Sequence, residues 1–194
     1  KDFIKMAAIH GMEDLALSPR EAALHRLPWL VFLLVTGFIT GSLITRFEDT
    51  LQSVMALAAF IPVIAGMAGN TGTQALAVAV RSMALDRFVG KEVLRLLCQE
   101  AGIGLIIGAI CGVIVAFLAY LRHGNLFLGF VVGASMWATL LVATMIGALM
   151  PVLFNAMGVD PAVASGPFIT TVNDIVGLGI YFTLATKFLT YLAG

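Results

Sequence analysis

Charge is scarce in this chain. Asp, Glu, Lys and Arg make up 11% of its 194 residues, and acidic and basic residues cancel at 11 each. A soluble domain carries about a quarter charged residues, so an ordinary water-facing surface is excluded. The same balance excludes the basic face that nucleic acid requires. Histidine is also rare: His10, His25 and His123 all lie outside the apolar stretches. Cysteine occurs only at Cys98 and Cys111, with no C-x-x-C spacing, which argues for two small packing residues rather than a zinc site or a disulfide framework. Without a soft-ligand cluster there is no site built for zinc or copper. No signal-peptide pattern opens the chain, which starts at Lys1. It reads as part of a longer protein with soluble domains upstream.

What the chain does have is apolar surface: 60% of its residues are hydrophobic and its mean hydropathy is +1.03. Long runs with few or no charges read as transmembrane helices. The expected fold is an all-α membrane protein with five transmembrane helices. Residues 1–26 form a polar cytoplasmic linker or amphipathic helix region, and residues 27–194 a five-helix transmembrane pore domain.

In residues 1–26, two short helices separated by Ser18-Pro19 fit best, with Ser18 as N-cap and Pro19 at the first helical position. Phe3, Met6 and Ala7 make an apolar face for a membrane surface or a partner, and a solvated linker is the competing reading. The first span covers roughly 27–46, where Gly37 and Gly41 form a close-packing G-x-x-x-G. The second covers roughly 51–80. Its middle runs from Pro62 to Gln74, with glycines at 66, 69 and 72 and an uncharged polar cluster of Asn70, Thr71, Thr73 and Gln74. Pro62 is expected to disturb the helix, and irregular backbone at membrane depth is tolerated only where protein buries it or it lines a wet cavity. The cluster therefore reads as pore-lining, or else as a close glycine contact with amides bonding across it. An amphipathic lead-in helix precedes the third span, roughly 101–121, in which Gly104, Gly108 and Gly112 repeat G-x-x-x-G twice. From Asn125 to Val159 there is no charge. A single helix of that length would span about 50 Å against a core of ~30 Å, so the fourth span is tilted or ends near Pro151. Gly129 and Gly133 suit packing, and Thr139 and Thr144 are expected to bond carbonyls one turn back. Asp160-Pro161 reads as the start of the fifth span, with a kink at Pro167.

Lys1, Lys5, Arg20 and Arg26 precede the first span, and Arg81, Arg87, Lys91 and Arg95 separate the second from the third, together eight of the eleven basic residues. The positive-inside rule then places the N-terminus in the cytoplasm and, after an odd number of spans, the C-terminus outside.

The last apolar stretch, residues 161–186, holds a single carboxylate, Asp174. A charge at mid-membrane is costly and marks a functional site by default. Gly166, Thr170, Asp174 and Gly177 fall at helical spacing on one face. This stripe reads as the lining of a cation path with Asp174 as its charge.

The run Pro62 to Gln74, P-V-I-A-G-M-A-G-N-T-G-T-Q, resembles the signature of the membrane domain of MgtE-type magnesium channels and their eukaryotic solute-carrier relatives. Asp160-Pro161-Ala162, Ser165-Gly166-Pro167-Phe168, Thr170-Thr171 and Asp174 look like that family's second signature. The resemblance covers nearly the whole chain. It implies a multi-pass protein of the bacterial inner membrane and a homodimer whose second and fifth spans line a pore on the dimer axis. It implies that Asp174, with its dimer mate, holds the main magnesium site. Gly66, Gly69, Asn70 and Thr73 would match the second-span pore positions, and Ala162, Gly166 and Thr170 those of the fifth. It also implies upstream cytoplasmic regulatory domains, an acidic domain and a CBS pair, with residues 1–26 as part of the connecting helix.

Mg²⁺ prefers six oxygens and gives up its waters reluctantly. A pore touching partly or fully hydrated Mg²⁺ through carboxylates, carbonyls and amides avoids the dehydration cost, and two Asp per dimer would match the ion's charge. Mn²⁺, Co²⁺ and Ca²⁺ remain compatible with such oxygens. A secondary divalent-cation transporter coupled to Na⁺ or H⁺ is the alternative, since broken helices with polar middles serve both classes. An enzyme is disfavoured, because no His lies in a span and Ser135 lacks a base. A purely structural bundle would explain the glycines but not Asp174.

Overall fold

In a computed structural model the chain is described over residues 18–83, 90–158 and 166–192. Among these residues every regular element is helical. Helix α1 runs Pro19–Arg46. Ser18 caps it as expected: the Glu21 amide donates to Ser18 Oγ at 3.4 Å and the Ser18 amide to Glu21 Oε2 at 3.0 Å. Pro28 sits inside α1 without ending it. A short α2 (Glu48–Ser53) and a 3₁₀ turn (Met55–Phe60) lead into α3 (Ile61–Met83). Helix α4 runs Lys91–His123, α5 Leu126–Ala156, α6 Gly166–Lys187 and α7 Leu189–Leu192.

Two expectations about proline are corrected, and of the two readings of the fourth span the end near Pro151 is not the one seen. Pro62 occupies the first turn of α3, where its missing N–H would have no intrahelical acceptor anyway. The irregular backbone is the 3₁₀ turn before it, and the polar cluster from Gly66 to Gln74 is unbroken helix. Pro167 likewise sits in the first turn of α6 and makes no mid-helix kink. Pro151 lies within α5, which continues to Ala156. The amphipathic lead-in to the third span is continuous with it in α4. Residues 1–17, the Asp160-Pro161 helix start and Ala162 lie outside the described residues.

Four segments of the described chain are long and apolar enough to cross a membrane: Met55–Met83, Lys91–His123, Leu126–Ala156 and Gly166–Lys187. The apolar part of α1, Leu30–Arg46, is shorter.

Glycine decides how these helices meet. A Cβ at Gly112 would lie 2.7 Å from the Gly133 carbonyl oxygen, and one at Gly133 2.7 Å from that of Gly112. Gly108 rests on Trp137, Gly104 on Leu141 and Thr144, and Gly129 on Ala116. Residue numbers run in opposite directions across this seam, so α4 and α5 are antiparallel and their backbones touch through positions without side chains. Gly37 and Gly41 differ from this pattern. Among the described residues nothing lies within 4 Å of either Cβ position, and both residues are exposed, so no described helix uses their expected packing face. The core lies where α3, α5 and α6 converge, around Leu57, Ile64, Met136, Leu140, Leu178, Tyr181 and Phe182. The buried Tyr181 hydroxyl donates to the Leu57 carbonyl at 2.8 Å, fixing one end of α6 to the 3₁₀ turn.

Candidate ion pathway

Helices α3 and α6 pack antiparallel. Thr73 stands opposite Gly166, Gly69 opposite Thr170 and Asp174, and Ala68 opposite Gly177. The approach is close because α3 offers glycine where α6 offers bulk. A Cβ on Gly69 would lie 2.6 Å from Thr170 Cγ2 and 3.4 Å from Asp174 Oδ1. Asp174 therefore rests against the α3 backbone. It is half-buried, and its Oδ1 is enclosed without a hydrogen-bond partner.

The hydroxyls beside it are tied to their own helices. Thr170 Oγ1 donates to the Gly166 carbonyl at 2.9 Å, Thr171 Oγ1 to that of Pro167 at 3.0 Å, and Thr73 Oγ1 to that of Asn70 at 2.8 Å. Each hydroxyl proton is thus used locally, and the oxygen lone pairs remain as acceptors. Since α3 is continuous helix, its carbonyls at 66–74 are engaged along the helix, and the oxygens this wall presents come mainly from side chains.

Of the residues expected at the site, the structure joins Gly69, Thr73, Gly166, Thr170 and Asp174 on the α3–α6 contact. Gly66 and Asn70 stand on the exposed side of α3, and Gly66 has nothing within 4 Å of its Cβ position. Thr144 donates one turn back to Leu141 O at 2.9 Å, but Thr139 reaches across to the Gly177 carbonyl at 3.4 Å, contrary to expectation. Asn173 was missed by sequence reasoning. It is 1% exposed, its amide lies against Gly72 of α3, and neither amide atom has a partner. Its signal in the sequence is an amide in an apolar run, one turn from both Ile169 and Gly177 on the inward side of α6.

Among the described residues no three His, Cys, Asp or Glu side chains gather as a metal cluster. One chain contributes one carboxylate, with neutral oxygens around it, on a half-buried helix face.

A polytopic helical bundle with a lone carboxylate on a glycine-packed helix pair belongs with membrane transport proteins. The sequence profile of the MgtE family, described as a divalent cation transporter, matches residues 61–184. The chain belongs to that family, whose members transport ions and are not enzymes. It is 48% identical over 191 residues to the magnesium transporter MgtE of Bacillus subtilis, covering 97% of this chain and 42% of that protein. It is 42% identical over 190 residues to the magnesium transporter MgtE of Enterococcus faecalis (98% and 42%), and 35% identical over 188 residues to that of Thermus thermophilus (95% and 41%). The chain thus spans about two fifths of the length of these relatives.

Proposed function

We propose that the chain is the membrane-embedded part of a magnesium transporter. Partly or fully hydrated Mg²⁺ would pass through a pore on the axis of a homodimer, lined by α3 and α6 of both copies. One observation carries this reading: Asp174 lies half-buried against Gly69, with an enclosed, unpartnered Oδ1, in a helix long and apolar enough to span a membrane. A carboxylate held so marks an ion path by default, and one chain supplies only half the charge that balances a divalent ion. A second copy would supply the rest. Gly66 and Asn70 are exposed on α3, which suits residues facing an axis rather than their own protomer. The names of the relatives support magnesium as cargo. Mn²⁺, Co²⁺ and Ca²⁺ are weaker candidates for the same oxygens.

The N-terminus would be cytoplasmic and preceded by the acidic and CBS regulatory domains, the C-terminus extracytoplasmic, and the membrane the bacterial inner membrane. A secondary transporter coupled to Na⁺ or H⁺ is the alternative, and the continuity of α3 and α6 through their polar stretches bears on both readings alike. Planar-bilayer recording tests the pore reading. Mg²⁺ currents that need no Na⁺ or pH gradient support it. Saturable uptake that stops when the Na⁺ or H⁺ gradient is removed would replace it with coupled transport.

A further inference from the structure

Asn173 and Asp174 together hold every buried side-chain oxygen or nitrogen that has no hydrogen-bond partner among the described residues. For Asn173 both amide atoms are in that state at 1% exposure. Burying an amide unpaired costs free energy that an apolar side chain would not, so the position calls for a reason.

The two residues do not share a direction. Asp174 is on the half-buried face, whereas Asn173 lies on the buried strip with Ile169 and Gly177. That strip meets α3 and α5 behind the proposed pore wall. The fit there has no slack: a Cβ on Gly72 would overlap Asn173 Nδ2 and would stand 3.0 Å from Asn173 Cγ and 3.1 Å from Ile169 Cγ2. On its other side Gly72 presents its carbonyl oxygen to Gly147 of α5, in contact too close for any side chain. Backbone of α3 is therefore clamped between the Asn173 amide and α5. Rotating α6, or sliding it along α3, drives the amide into the Gly72 backbone. One residue further along α6, Asp174 rests on Gly69, one turn of α3 away. The seat of Asn173 on Gly72 thus sets where the Asp174 carboxylate stands relative to α3.

We propose that Asn173 is a positioning residue for ion selectivity: seated on Gly72, it holds Asp174 in a fixed place and so makes the pathway favour Mg²⁺ over Ca²⁺. The inference rests on the transport reading above. Its physical basis is the difference between the two ions. Mg²⁺ demands a near-ideal octahedron of oxygens, while Ca²⁺ accepts 6–8 ligands in flexible geometry, so selectivity between them depends on rigidity as well as ligand type. A carboxylate that wanders keeps its charge but loses that rigidity.

The test is initial uptake of Mg²⁺ and of Ca²⁺ into proteoliposomes carrying the full chain, compared for wild type, Asn173→Ala, Asn173→Ser and Tyr181→Phe. Tyr181→Phe removes the hydrogen bond to Leu57 about two turns along α6 from the carboxylate and serves as the control for loosening alone. The expected result is a Mg²⁺:Ca²⁺ uptake ratio lowered by roughly threefold or more in the Asn173 variants, at the low end of coupling between touching residues, and unchanged in Tyr181→Phe. If Asn173→Ala does not fold, Asn173→Ser gives the same comparison. An unchanged ratio in a folded Asn173 variant, or an equal fall in Tyr181→Phe, would overturn the proposal. Absence of Mg²⁺ uptake by the wild type would instead remove the transport reading, and this inference with it.

Discussion

Asp174 is held by packing rather than by pairing. Its neighbours on α3 and α6 are glycine and threonine, and the threonine protons are spent on their own helix carbonyls. Among the described residues nothing pairs with Oδ1, which leaves a cation and its waters as the natural partners. Asn70 carries the complementary prediction. In a background with Cys98 and Cys111 replaced by Ala, Asn70→Cys should react with a hydrophilic thiol reagent in membranes and be protected by Mg²⁺. Ile64→Cys, fully buried on the inward side of α3, should not react. Equal labelling of both would place Asn70 away from a wet pathway. Tyr181→Phe should cost about 0.5–1.5 kcal/mol of stability, the worth of one buried hydrogen bond. Thermal unfolding in detergent would read this as a shift of about 1–6 °C.

At the scale of helices, the bundle is stitched by glycine where a Cβ would strike backbone. Gly112→Val should destabilise by about 1–3 kcal/mol or more, because the added atoms meet the Gly133 carbonyl. Gly37→Ala meets nothing within 4 Å among the described residues and should leave the protomer as stable or more so, since Ala favours helix by about 1 kcal/mol. Thermal unfolding of the two variants side by side checks the contrast. The G-x-x-x-G runs of α4 could be read directly from the sequence because spacing alone puts those residues on one face. Spacing does not say whether a partner helix is present, which is why Gly37 and Gly41 match the pattern yet stand free. Prolines misled for a related reason. Pro62 and Pro167 fall in first turns, where proline is harmless, and helix starts inside apolar runs lack the polar caps that betray them elsewhere. Ser18 and Asn125 do have such caps: the Glu21 amide donates to Ser18 Oγ, as expected, and the structure adds a bond from the Leu128 amide to Asn125 Oδ1. Spacing alone puts Gly166, Thr170 and Asp174 on one face, whereas Gly69 and Thr73 are set beside them only by the resemblance to the MgtE family. Asn173 is reached by neither, because its importance lies in a contact with Gly72, a hundred residues away, that no local pattern encodes.

At the scale of the whole molecule, the proposed site is completed only when two copies meet. Two carboxylates facing one axis repel without an ion, so Mg²⁺ should stabilise the assembly. Millimolar Mg²⁺ is expected to raise the unfolding temperature of the purified protein, and chelation to lower it. Asp174→Ala should abolish most of that Mg²⁺ dependence while keeping the fold. A ligand at a hundred times its Kd adds about 2.7 kcal/mol, which sets the scale of the shift. In the proposed orientation, eight of the eleven Lys and Arg residues would lie on the cytoplasmic side, and cations would move between an outer face poor in positive charge and a cytoplasmic face rich in it.

The most direct test of the account is Mg²⁺ uptake into proteoliposomes by the full chain beside its Asp174→Ala variant, both shown to be folded. Uptake by the wild type and a loss of at least about tenfold in the variant is the predicted result, because an uncompensated desolvation of several kcal/mol faces an ion whose only charged ligand has been removed. Equal uptake by both proteins would contradict the assignment of the ion site to Asp174.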